Sequence, residues 1–150
     1  MTAVLFVCLG NICRSPTAEG VFRAMAARAG LSVTVDSAGT GGWHAGEPPH
    51  PPSVAAALRR GYDLRQQRAR QVRPEDFTRF DLIYAMDRRN LQDLTDLRKG
   101  QGTRPALFLD LVPQLGLRDM PDPWYTGEFD RVLDLVEAAS QALVRRLSAT

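Results

Sequence analysis

The run Ala3-Val-Leu-Phe-Val-Cys8, continued by Leu9-Gly-Asn-Ile-Cys-Arg14 and then Ser15-Pro16, decides how this chain is read. An apolar run with no polar alternation describes a short strand buried on both faces, as in a parallel sheet. The polar loop from Leu9 to Arg14 leads into a helix, with Ser15 as the expected N-cap and Pro16 as the expected first helical residue. Ala18, Val21, Phe22, Met25, Ala26 and Ala29 share one face at a 3.6-residue period, and Gly30 stops the helix.

Working outward, Leu31 to Ser37 alternates apolar and polar and reads as a second strand. Gly39 to Pro52 is rich in Gly and Pro, a long irregular loop of the kind that carries function in compact domains. Val54 to Arg60 reads as a short helix closed by Gly61. Asp81 to Met86 is a third buried strand, after which Asp87 caps a helix through Leu91, Leu94 and Leu97. Ala106 to Leu109 is a short fourth strand, and Pro113 to Tyr125 is a second irregular segment. The last helix carries a stripe of Phe129, Val132, Leu133, Val136, Leu143, Val144 and Leu147. Its acids (Glu128, Asp130, Asp134) come early and Arg145 and Arg146 late, as the helix dipole favours. Strands alternating with helices predict an α/β fold, a parallel sheet covered by helices on both faces. Ligands of such sheets bind outside the carboxyl ends of the strands, the edge at which Cys8 to Arg14 lies.

The 150 residues suit one domain spanning 1–150. A hydrophobic share of 44% and a charged share of 24% exclude disorder. The longest apolar run, Ala3 to Leu9, is far below the roughly 18 residues of a membrane span and carries no secretory-signal pattern. Two cysteines do not make a secreted disulfide framework, so a cytoplasmic protein with reduced thiols is expected. A net charge of +2 argues for neither nucleic acid nor a membrane surface as partner. Of the nineteen basic residues one is Lys99 and eighteen are Arg, most of them expected on solvated helix faces.

Between a buried strand and a helix N-terminus, the backbone N–H groups of Leu9, Gly10, Asn11, Ile12 and Cys13 are placed to cradle an anion. The same positive environment favours a thiolate nucleophile at Cys8. Arg14, six residues on, is placed to clamp two phosphoryl oxygens, Ser15 to hydrogen-bond the Cys8 sulfur, and Gly10 to allow close approach. The Cys-to-Arg spacing alone is weak, since Arg is abundant; its setting in a strand–loop–helix makes it specific. A nucleotide P-loop is excluded because no Gly-Lys-Ser/Thr follows, and Cys8 and Cys13 lack the further ligands of a zinc site. Phosphoryl transfer through cysteine also needs an acid for the leaving oxygen. Asp119-Met-Pro-Asp122-Pro-Trp-Tyr125 offers one on a rigid loop beside an aromatic wall, although a plain proline turn with a solvated Asp122 and a core Trp124 fits the spacing equally.

These residues resemble the low-molecular-weight protein tyrosine phosphatases nearly end to end. The resemblance is carried by Cys8-Leu-Gly-Asn-Ile-Cys-Arg-Ser-Pro16, Asp36-Ser-Ala-Gly-Thr40 with Trp43-His44, Ala69-Arg-Gln71, Ala85-Met-Asp87 with Asn90, and Asp122-Pro-Trp-Tyr125. It implies a flavodoxin-like three-layer sandwich with a four-stranded parallel sheet, and neither metal nor organic cofactor. It also implies Cys8 as nucleophile, Arg14 as phosphate clamp, Asp122 as general acid and then base, Asn11 and Ser37 as braces of the loop, and Ser15 as an aid to the leaving thiolate. Trp43, Trp124 and Tyr125 would line the entrance, though each alone also fits a core. Cys13 would pair reversibly with an oxidised Cys8. The implied substrate is a phosphotyrosine-containing protein or a small aryl phosphate, with inorganic phosphate as product. The chain departs from the family pattern at Gln67, where His is frequent, and at His50 and Pro52, where Asp and Arg are common.

Other functions share parts of this pattern. Thiol-dependent arsenate reductases need two further cysteines late in the chain, and no cysteine follows Cys13. A phosphocysteine carrier has no use for Arg14 or Asp122, and a phosphopeptide-binding module none for a nucleophile and an acid together. Related phosphoarginine phosphatases tend to carry Thr at the place of Ile12, which favours phosphotyrosine here.

Overall fold

The computed structural model describes residues 1–149. Strand β1 (Thr2–Cys8) lies at the centre of a four-stranded sheet with β2 (Val33–Gly39), β3 (Leu82–Ala85) and β4 (Ala106–Leu107), in the order β2-β1-β3-β4. All three pairings are parallel. Helices α1 (Arg14–Arg28), α2 (Pro51–Arg59) and α6 (Phe129–Ser148) pack on one face; α3 (Asp76–Arg79) and α4 (Arg88–Arg98) pack on the other. A short helix α5 (Pro123–Thr126) precedes α6. This doubly wound order is the flavodoxin-like arrangement.

The alternation of β1 explains its unbroken apolar run. Val4, Phe6 and Cys8 belong to the core beneath α1 and α6, whereas Leu5 and Val7 belong to the core against α3 and α4. Phe6 meets Phe22 and Phe108 edge-on at 5.8 and 4.9 Å, contacts worth roughly 0.5–1.5 kcal/mol each beyond their burial. The first fastens α1 to β1, and the second fastens the turn after β4 to the same strand. Cys8 ends the strand on the α1 side, and the polypeptide turns there.

Several boundaries differ from the sequence reading, each for a physical reason. Helix α1 begins at Arg14, with Cys13 in the cap position and no side-chain cap bond; the Ser15 hydroxyl is instead engaged with Cys8. Ala29 is exposed rather than on the buried face. It precedes a Schellman turn in which Gly30 (φ 71°) donates to the Ala27 carbonyl and Leu31 to that of Ala26. That turn consumes Leu31, so β2 begins at Val33 and runs on to Gly39, opposite Cys8. Helix α2 begins at Pro51, two prolines filling a first turn that needs no N–H. Phe108 and Leu109 leave the sheet after two paired residues and form a 3₁₀ turn to Leu111, burying both side chains under α6. The segment expected to be wholly irregular contains a 3₁₀ turn at Pro113–Leu115 and the start of α5. Among the described residues, no helix is long and apolar enough to cross a membrane.

Candidate active site

The loop after β1 folds back on its own sulfur. Asn11 takes a left-handed conformation (φ 58°), one that Asn tolerates better than most residues, and this aims its N–H at Cys8 Sγ, 3.3 Å away. Ser15 Oγ lies 3.0 Å from the same sulfur. The buried Asn11 side chain fixes both contacts. Its Nδ2 donates to Ser15 Oγ at 2.8 Å and to Ser37 Oγ at 2.9 Å, and its Oδ1 accepts from the Arg70 N–H at 3.0 Å. Ser37 in turn donates to Glu19 Oε1 at 2.6 Å, and Arg23 donates to Glu19 Oε2 at 2.7 Å. Asn11 occupies a lone pair of each serine; Ser37 gives its proton to Glu19, while Ser15 Oγ stands 3.0 Å from the sulfur and 3.4 Å from the Ala38 carbonyl oxygen. Cys8 Sγ is thus in contact with both the Asn11 N–H and the Ser15 hydroxyl.

The close approach of β2 to this loop requires Gly39. A Cβ there would stand 2.8 Å from the Leu9 carbonyl oxygen and 3.2 Å from the Asn11 nitrogen. Gly10 has a different use from the one expected: a Cβ there would meet the His44 ring at 3.1 Å, so its bareness seats that imidazole against the loop.

Arg14 is buried, its side chain 4% exposed. Nη1 donates to Asp87 Oδ2 at 2.7 Å and to the Met120 carbonyl at 3.0 Å, and Nη2 stands 3.6 Å from Asp122 Oδ2. One end of the guanidinium is thus anchored and the other presented beside Asp122. Asp87 serves two masters, since its Oδ1 accepts from Asn90 N–H at 2.7 Å and so caps α4. Asp122 caps α5 in the same manner, Oδ1 accepting from Trp124 N–H at 3.1 Å.

These groups surround one cavity of about 160 Å³, lined by Cys8, Leu9, Gly10, Ile12, Cys13, Arg14, Trp43, His44, Asp122, Trp124 and Tyr125. The three aromatics expected at an entrance are exposed by 65%, 53% and 78% for Trp43, Trp124 and Tyr125, which removes the core alternative for each. Cys8 and Cys13 are both free thiols. Burial pushes the Cys13 thiol up to about 12, so it stays protonated. Among the described residues, no group of three or more His, Cys, Asp or Glu side chains is placed to hold a metal ion.

Sequence reasoning missed Asp87 and Met120 as the holders of Arg14, Glu19 and Arg23 at the end of the loop's bracing chain, Arg70 beside Asn11, and His44 on the cavity wall. Asp87 directly follows β3 at the same sheet edge as Cys8, and Ser15, Glu19 and Arg23 step along α1 at four-residue intervals; either signal was there to be used. Gln67, at the first departure from the family pattern, donates to the Pro16 carbonyl at 3.0 Å, while Arg23 supplies the cation beside Glu19. His50, at the second, packs its ring on Trp124 at 4.8 Å.

Burial raises the Glu19 carboxyl above the ordinary range, opposed by the hydrogen bond from Ser37 and by Arg23. A carboxyl whose folded value is raised contributes stability that is fully present below its unfolded value and lost as pH rises through the folded value. Glu19→Gln keeps the bond to Ser37 and removes the ionisation. Its melting temperature relative to wild type is expected to climb by a few degrees as pH rises above the ordinary carboxylate range, read by thermal unfolding at several pH values.

One cavity at the edge of a flavodoxin-like sheet thus brings together a strand-end thiol, a buried arginine and a facing carboxylate. The profile of the low molecular weight phosphotyrosine protein phosphatase family matches residues 3–150. Low molecular weight protein-tyrosine-phosphatase YfkJ of Bacillus subtilis is 44% identical over 147 residues, covering 96% of this chain and 94% of that one. Its crystal structure superposes with a TM-score of 0.95 over 99% of this chain and 96% of its own, at 42% identity. The Sus scrofa low molecular weight phosphotyrosine protein phosphatase is 39% identical over 150 residues, 95% of this chain and 89% of its own. A protein tyrosine phosphatase of Entamoeba histolytica, solved with Hepes in the active site, gives a TM-score of 0.94 at 34% identity over 99% and 98% of the two chains. The chain belongs to the low molecular weight phosphotyrosine protein phosphatase family.

Proposed function

We propose that this chain hydrolyses aryl phosphate monoesters, phosphotyrosine in proteins among them, through a phosphocysteine on Cys8. The observation that carries the reading is the convergence of Cys8, Arg14 and Asp122 on one aromatic-rimmed cavity. In the first step the Cys8 thiolate attacks phosphorus in line. The S–P bond forms as the P–O bond to the ring breaks, and Asp122 gives its proton to the departing oxygen. In the second step Asp122 takes a proton from water, the water oxygen attacks phosphorus, the S–P bond breaks, and inorganic phosphate leaves. The Ser15 hydroxyl stabilises the thiolate as it departs. Arg14 and the N–H groups from Leu9 to Ser15 hold the equatorial oxygens throughout, so most of the rate enhancement is electrostatic positioning.

Trp43, Trp124 and Tyr125 flank the ring of the substrate. Ile12 on the wall offers no hydrogen bond to a guanidinium, which favours an aryl over an arginine phosphate, and the presence of Arg14 and Asp122 favours hydrolysis over a carrier role. Asn11 and Ser37 brace the loop. Cys13, in the same loop, would condense with a sulfenic acid formed on Cys8 by peroxide, giving a disulfide and water. Two unpaired thiols suit a reducing compartment such as the cytoplasm.

The test is hydrolysis of a chromogenic aryl phosphate in EDTA, with ³¹P spectroscopy of rapidly quenched enzyme. Full activity and a transient phosphorus signal on sulfur are expected. Dependence on added metal, or turnover with no phosphorylated enzyme, would overturn the reading.

A further inference from the structure

The carboxyl that faces the cavity caps a one-turn helix that is held downstream by the buried Pro123 and by the His50 ring against Trp124. Helix α5 is one turn long, and Trp124, Tyr125 and Thr126 are all exposed. A second anchor lies upstream. Met120 is buried, its N–H donating to the Met86 carbonyl at 2.9 Å and its own carbonyl accepting from Arg14. Asp119, one residue before it, is gripped by Arg88. The Arg88 N–H donates to Asp119 Oδ1 at 2.8 Å, Nε lies 3.2 Å from both carboxylate oxygens, and Nη2 donates to Oδ2 at 2.8 Å.

Arg88 is the first residue of α4, so its N–H is one of those a helix cannot satisfy internally. Asp119 supplies the partner from thirty-one residues away. The turn Met86-Asp87-Arg88 and the turn Asp119-Met120 are therefore zipped together by three separate contacts, with Arg14 laced between them. Pro121 is the sole residue between this zipper and Asp122, and its fixed φ transmits the anchor's position. An isolated exposed ion pair would contribute little, but a fork-to-fork pair that also takes a backbone amide has a defined geometry. The Arg88 guanidinium holds the Asp119 carboxyl below the usual range, which keeps the grip through mildly acid conditions.

We propose that Asp119 and Arg88 are positioning residues for the proposed proton donor, fixing the distance of Asp122 from the oxygen that leaves phosphorus. The inference rests on the phosphatase reading above. It makes a specific claim about which substrates suffer when the grip is lost. A phenol that is acidic leaves without a proton, whereas a weakly acidic one needs the donor in place.

The experiment measures kcat/KM for a series of aryl phosphates with leaving phenols of graded acidity, in wild type, Asp119→Ala, Arg88→Ala, the double variant and Asp122→Asn. Wild type is expected to depend weakly on the leaving group and Asp122→Asn strongly. Each single clamp variant should lose about ten-fold on the least acidic phenol and little on the most acidic, with the double variant no worse than either single. Arg88 is exposed, so its variant keeps the fold; thermal unfolding checks this. Equal losses across the series, or none, in both single variants would overturn the inference and leave the phosphatase reading standing. A wild type without activity, or an Asp122→Asn with no leaving-group dependence, would overturn that reading and this inference with it.

Discussion

Cys8→Ser is expected to abolish aryl phosphate hydrolysis while leaving the protein folded and able to bind inorganic phosphate. Serine is close in size, and its oxygen still accepts the Asn11 N–H and still pairs with Ser15, so the loop has no reason to rearrange. The change lies in the chemistry of the attacking atom. A serine hydroxyl stays protonated near neutral pH and is a far weaker nucleophile than a thiolate. Removal of a covalent nucleophile elsewhere costs roughly 10⁵- to 10⁶-fold, and a loss on that scale is expected in kcat. The paired measurements are initial rates with a chromogenic aryl phosphate and calorimetric binding of phosphate. Substantial turnover by the variant would refute the covalent mechanism, and loss of phosphate binding would show that the sulfur organises the loop as well as attacking.

Asp122→Asn isolates the proton. The asparagine amide oxygen can accept the Trp124 N–H as Oδ1 does now, so the cap of α5 survives the substitution. What is lost is a proton for the leaving oxygen and, in the second step, an acceptor for the proton of water. A loss of roughly 10²- to 10⁴-fold is expected with phenyl phosphate, the usual worth of a general acid, and a smaller one with a nitrophenyl ester. Slower hydrolysis of the intermediate should also raise the fraction of enzyme found phosphorylated at steady state. A uniform loss without accumulation would point instead to damage of the cavity, for example through the 3.6 Å contact with Arg14.

The parts of this molecule that could be read in its sequence are those whose signal is local. β1 announces itself by an apolar run too short for anything but a doubly buried strand, and the loop after it by its place before a helix. Asp122 stands out in the sequence because Pro and aromatic residues crowd it. Ser15 shows where local reading fails. A serine before proline at a helix start is the pattern of an N-cap, yet the hydroxyl serves a sulfur seven residues back, a demand set by the tertiary fold. Phe108 and Leu109 fail for another reason: two apolar residues bury equally well in a strand or in a 3₁₀ turn, and α6 decides between them. The helix α3 has four residues and no periodicity to read. Asp87 reads as a helix cap and is one, but a carboxylate has a second oxygen, and its use by Arg14 depends on a strand pairing no single segment reveals.

The position of Cys8 along β1 carries a requirement that no motif expresses. Successive side chains of the strand look to opposite sides of the sheet, so whether the sulfur reaches Asn11 and Ser15 is a matter of odd or even count. A single residue gained or lost between Ala3 and Val7 would swing the thiol toward Val72 and Ala85, with every signature residue still present in order. A change of two would bring it home. The chemistry of this family is in that sense written in parity as well as in letters.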